Sequence, residues 1–110
     1  VPSTLGSLTS LRVIELNRNY IRGIPGTIGN LNRLVHLDLW GNEIRKLPES
    51  IYALKNVLLY LDVSYNPYHL DFVKELFEYL PYTWIRYSQE CNCETLLLRR
   101  SPQPPLFDQR

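Results

Sequence analysis

Apolar residues recur along this chain in blocks that end on asparagine. LRVIELNRN runs from Leu11 to Asn19, LVHLDLWGN from Leu34 to Asn42 and LLYLDVSYN from Leu58 to Asn66. All three fit L-x-x-L-x-L-x-x-N, with Ile or Val as substitutes, and the closing asparagines at 19, 42 and 66 recur at a nearly constant interval. Apolar–polar alternation marks a strand with one face buried, so strands are expected near 11–19, 34–42 and 58–66. Each block is followed by a second apolar half, YIRGIPGTIGNL and then EIRKLPESIYAL; VPSTLGSL, at the start, is that second half without its strand.

The spacing explains itself physically. Leu11, Ile14, Leu16, Ile21, Ile24, Ile28 and Leu31 of the first full repeat are expected to point inward, as are Leu34, Leu37, Leu39, Ile44, Leu47, Ile51 and Leu54 of the second. One repeat cannot bury so many apolar groups; stacked neighbours can. Asn19, Asn42 and Asn66 form a structural ladder in this reading, their amides bonding backbone groups where the chain leaves the sheet. Pro25 and Pro48 start the outer segment, where a fixed φ costs little.

These residues resemble the leucine-rich repeat family over positions 1–67. "Leu47-Pro48-Glu49-Ser50-Ile51" is similar to the intracellular 23-residue form L-P-x-x-I-x-x-L of Ras-suppressor-like and Ras-scaffold-like repeats. "GIPGTIGNL" resembles the plant-type Gly-x-Ile-Pro pattern less well, because Gly23 directly precedes Ile24. The resemblance implies an α/β solenoid with a short curved parallel β-sheet, an irregular or 3-10 convex side and a C-terminal helical cap. The extra residue of the third repeat falls around Val57-Leu58, where a bulge on the convex side is expected.

The period is expected to end after Pro67. In DFVKELFEYL, residues 71–80, Val73, Leu76, Phe77 and Leu80 make a helical stripe, with Asp71 placed to start it and Pro81 to stop it. Residues 68–93 are therefore read as a cap, with Trp84, Ile85 and Tyr87 completing it. Secreted members of the family cap this end with cysteines, but Leu70 stands where the first is expected, which leads to a cytoplasmic assignment. Residues 94–110 hold three prolines among polar and charged groups and are expected to be extended or disordered, except for Leu96, Leu97 and Leu98, which are expected to pack back on the cap.

Composition narrows the function classes. A net charge of +1 gives no reason to expect nucleic acid or an anionic membrane, and no apolar run reaches the roughly 20 residues of a membrane span. Cys91 and Cys93 are too close in sequence for an unstrained bridge, and as zinc ligands they lack two partners. No metal, no cofactor and no catalytic residue is expected. The chain starts at Val1 and holds no methionine. It is read as processed or as a piece of a longer protein, with more leucine-rich repeats N-terminal to Val1.

The remaining signal lies in columns of side chains across the expected sheet, about 4.8 Å apart from strand to strand. One column holds Glu15, Asp38 and Asp62; the one before it holds Val13, His36 and Tyr60; Asn17, Trp40 and Ser64 follow, then Arg18, Gly41 and Tyr65. Three stacked carboxylates repel one another, a cost that a cation would relieve. Trp40, Tyr60 and Tyr65 are residue types that dominate interface energetics. The expected partner-binding set on the concave face is thus Glu15, His36, Asp38, Trp40, Tyr60, Asp62 and Tyr65. Its expected partner is another protein carrying a basic or Arg-containing segment. The leading reading is an interaction module of an intracellular adaptor. The alternatives are an architectural or docking subunit of a large assembly using the cap and tail, and an extracellular recognition domain, which the missing cysteine cap opposes.

Overall fold

A computed structural model describes residues 1–88 and a strand at 96–100. The readings placed on Cys91, Cys93 and the tail other than 96–100 fall outside the described residues. Strands β1 (Val13–Glu15), β2 (His36–Asp38), β3 (Tyr60–Asp62), β4 (Trp84–Ser88) and β5 (Leu96–Arg100) form one sheet in chain order. The first four run parallel, and β5 pairs antiparallel with β4. Between the parallel strands the chain crosses the opposite side in short segments: 3-10 turns at Gly26–Asn30 and Glu49–Leu54, then helix α1 (Leu70–Tyr79). A further 3-10 turn, Ser3–Ser7, precedes β1.

Pro25 and Pro48 hold the extended residue before each inner 3-10 turn, with φ of −64° and −66°. Each offers its carbonyl to the amide three residues on, Ile28 at 3.1 Å and Ile51 at 3.0 Å. The turns then pass hydrogen bonds along the apolar positions: Leu31 N–H to Ile28 O, and Leu34 N–H to Leu31 O. In the third repeat the Leu58 amide reaches back four residues to Leu54 O at 2.8 Å. One wider turn thus absorbs the extra residue around Val57-Leu58. Apolar side chains from both sides meet between the layers: Ile28, Leu31, Leu34, Leu37, Leu58, Leu61, Leu76 and Ile85 are fully buried. Leu11, Leu16 and Ile21 are only partly covered, because they lie in the outermost repeat.

The structure carries the array one turn beyond Pro67. Tyr60 pairs with Trp84, Leu61 with Ile85 and Asp62 with Arg86, so β4 continues the repeat register inside the segment read as cap. Helix α1 replaces the 3-10 turn in this unit. His69 precedes it in an extended conformation, its Nδ1 accepting the Asp71 amide. Phe72, Val73 and Leu76 are the buried face. Trp84 and Arg86, on β4, thereby join the two concave columns.

Candidate partner-binding face

The asparagine ladder fixes where each strand hands over to the next loop. Asn42 accepts the Ile21 amide on Oδ1 at 3.1 Å and donates through Nδ2 to Leu16 O and Leu39 O. Asn66 repeats this one repeat on, with the Ile44 amide, Leu39 O and Val63 O. Asn19 is exposed and donates only within its own turn, to Leu16 O and Asn17 O. Just before each asparagine the chain turns through a left-handed residue: Arg18 (φ 59°), Gly41 (φ 73°) and Tyr65 (φ 55°). Glycine adopts that conformation freely, whereas for Arg and Tyr it costs roughly 1–2 kcal/mol.

Those turns set the aromatic part of the face. Trp40, half-buried, lies between the two strained residues. The Arg18 guanidinium sits 5.0 Å from the indole centroid, and the Tyr65 ring meets the indole edge-on at 5.6 Å. On the neighbouring column His36 and Tyr60 stack at 4.7 Å with 26° between their planes.

The acidic column is different from its sequence reading. Glu15 is exposed and Asp38 half-buried, but Asp62 is only 4% exposed. Its Oδ1 accepts both the Ser64 amide at 3.0 Å and the Ser64 hydroxyl at 2.5 Å, and the Tyr60 hydroxyl lies 3.4 Å from Oδ2. Asp38 makes the simpler form of this turn, accepting the Trp40 amide at 3.0 Å. These carboxylates close the turn after the strand, where backbone amides leave the ladder. Asp62 therefore does not belong to an accessible partner-binding set: its carboxylate is consumed inside the fold.

Arg86 answers the same column from within the chain. It stands opposite Asp62 on β4, hydrogen-bonded to Tyr60. That hydrogen bond, then Tyr60, Asp62 and Asp38 through their charge, hold its guanidinium above its ordinary value against the opposing effect of burial. Burial raises the Tyr60 phenol above 10.0; the Arg86 hydrogen bond opposes this, while Asp62 and Asp38 add to it. The Arg86 Nε is buried and has no hydrogen-bond partner among the described residues. Sequence reasoning missed this residue because it ended the register at Pro67. The signal was there: Arg86 follows Asp62 at the same interval that separates Asp62 from Asp38.

Glu15, His36 and Asp38 bring one ligand atom each to within 4.8 Å of one another, so this is where a cation would be held. Two of the three are ordinary exposed or half-exposed acids, and the Asp38 carboxylate already serves the Trp40 turn. Such a trio is one ligand short of a closed site.

A parallel sheet grown by one strand per repeat, closed by an asparagine ladder, defines a solenoid. The family described as leucine-rich repeat region matches residues 2–81, and the chain belongs to the leucine-rich repeat family. Among solved structures, a leucine-rich repeat protein of Leptospira interrogans is similar, with a TM-score of 0.74 and 30% identity over 77% of this chain. The chain spans 21% of that protein's length. A search of curated proteins returns no match. Leucine-rich repeat domains generally mediate protein–protein interaction, and the family and fold are typically non-enzymatic.

Proposed function

We propose that this chain is the interaction module of an intracellular leucine-rich repeat adaptor and captures a protein through its concave face. The observation that carries the reading is Trp40. It is half-exposed in the middle of the sheet's lip, held by Arg18 and Tyr65, two residues kept in a conformation that glycine would adopt at lower cost. A rigid aromatic flanked by a charged and a phenolic group is the kind of anchor around which interface energy concentrates. Glu15, Asp38, His36 and Tyr60 extend the patch across β1, β2 and β3, and Glu15 and Asp38 supply the negative charge that suits an Arg-containing segment. Asp62 is left out of this set, because it is only 4% exposed and its Oδ1 is already taken up by Ser64. The intracellular placement rests on Leu70, which opens α1 where secreted relatives begin a cysteine cap.

Affinity capture with quantitative mass spectrometry tests the reading. Proteins retained by the full chain are expected to be lost with Trp40→Ala and weakened with Glu15→Lys, an exposed change. The circular dichroism melt should stay within a few degrees of the parent. Unchanged capture by both variants would sink the concave-face proposal.

A further inference from the structure

A second concavity lies on the convex side, where the third 3-10 turn meets α1. Glu49, Tyr52, Glu75 and Tyr79 line an open cavity of about 360 Å³. Their spacing puts them there. Positions three apart eclipse on a 3-10 helix, so Glu49 and Tyr52 share an edge of Glu49–Leu54; positions four apart are neighbours on an α-helix, so Glu75 and Tyr79 share a face of α1. The Tyr52 and Tyr79 rings lie 5.0 Å apart with 38° between their planes, and the Tyr52 hydroxyl donates to Glu75 Oε2 at 2.5 Å.

Joining the two elements does not require this arrangement. Ile51, Leu54 and Leu76 are buried and already bring 3-10 turn and helix together. What remains at the rim is negative charge beside aromatic faces. Neither Glu49 nor Glu75 forms a salt bridge among the described residues, whose two such pairs are Arg22–Glu43 and His69–Asp71. Burial, then Glu75, Glu49 and Tyr79, all push the Tyr52 phenol far above 10.0, and no cation opposes them. A cavity with two carboxylates and two electron-rich rings attracts an organic cation. A guanidinium fits better than an ammonium, because it stacks flat on a ring while its fork meets a carboxylate.

We propose that the cavity lined by Glu49, Tyr52, Glu75 and Tyr79 receives an arginine side chain of a protein partner, giving the convex side a contact independent of the concave face. Tyr52 fixes the Glu75 carboxylate, Tyr79 forms the stacking wall, and exposed Glu49 closes the opposite rim.

The test is an NMR titration of the isotope-labelled full chain with N-acetyl-arginine amide. Saturable shifts are expected at Tyr52, Glu75 and Tyr79, with N-acetyl-lysine amide binding more weakly. Glu75→Gln should weaken binding about tenfold, the factor expected when a charge-assisted hydrogen bond is lost, and Tyr79→Ala, at a half-exposed ring, should weaken it similarly. Glu49→Gln provides a second charge variant at the rim, so one poorly folding variant does not decide the outcome. Trp40→Ala should leave the arginine-dependent shifts at Tyr52, Glu75 and Tyr79 unchanged, which separates this site from the concave one. Shifts that follow only ionic strength, as in a sodium chloride control, would overturn the proposal. So would tighter binding of the lysine derivative, or variants that bind arginine as the parent does.

Discussion

Asn42 shows how much one side chain can hold in a stacked fold. Its amide serves one N–H and three carbonyls that belong to two successive repeats, and it is 6% exposed. Replacing it by alanine leaves the Ile21 N–H unpaired, at about 1–3 kcal/mol for a fully desolvated group, and removes one of the two side-chain donors from Leu16 O and Leu39 O, which keep Asn19 and Asn66. Asn42→Ala is therefore expected to lower unfolding free energy by about 2–4 kcal/mol in urea titration, while Asn19→Ala, exposed and bonded only within its turn, should cost under about 1 kcal/mol. Equal losses would show that cross-repeat bonding is not what the asparagines contribute. The tyrosines make a second residue-scale case. Burial raises the Tyr68 phenol above 10.0 despite its hydrogen bonds to Ser88, and Tyr52 and Tyr60 are raised as well. Their folded values exceed the unfolded one, so the native state keeps protons that the unfolded chain loses. Stability is then fully present below about pH 10 and falls as pH rises from there towards the folded values. Phenolate absorbance should show these three titrating late, and should revert to ordinary titration in urea.

Between elements, close approach matters more than propensity. A Cβ on Gly29 would lie 2.6 Å from Ser50 O, whereas one on Gly26 would meet nothing within 4 Å. The contact is backbone on the facing 3-10 turn, which cannot rotate away. Gly29→Ala is expected to destabilise by about 1–3 kcal/mol, the cost of overpacking, and Gly26→Ala to stay within about 0.5 kcal/mol. Denaturant titration of the pair checks this directly, since both changes carry the same glycine-to-alanine entropy effect. The same stacking is stitched by Ser50 Oγ donating to Gly26 O and Thr27 Oγ1 to Ser3 O. Neither glycine's difference was visible in the pattern GIPGTIGNL, because period alone does not reveal the distance between neighbouring turns.

At the scale of the molecule, burial is uneven along the solenoid. Leu37, Leu39, Leu58 and Leu61 are fully buried, whereas Leu8 is 53% exposed and the core positions Leu11, Leu16 and Ile21 are only partly covered. A stack of repeats opens most easily where nearest-neighbour contacts are fewest. Native-state hydrogen exchange should therefore protect the Leu39 and Val63 amides, bonded to Asp62 O and Arg86 O, by at least about tenfold more than the Leu5 and Leu8 amides of the first 3-10 turn. Uniform protection would instead mean that all repeats open together.

Much of this architecture could be read directly from residues. The recurrence of L-x-x-L-x-L-x-x-N dictates which side chains point inward and which strands stack, because burying one apolar face per repeat admits a single register. The column order of Val13, His36 and Tyr60, and of Glu15, Asp38 and Asp62, follows from that register alone. The repeat could not reveal where each column ends or which members are occupied within it. Trp84 and Arg86 sit on a strand whose sequence, WIRYS, lacks the leucines of the motif; only packing against β3 and α1 makes it the fourth parallel strand. Asp62 and Asp38 share one pattern position, yet the first is buried and bonded to Ser64 while the second is left half open. Tyr52 and Tyr79 come from separate helical segments and meet only because one stacks on the other. Periodic burial is a local demand that sequence can state. Which carboxylate a turn buries, and the space left between two elements, depend on distances that exist only once the chain has folded.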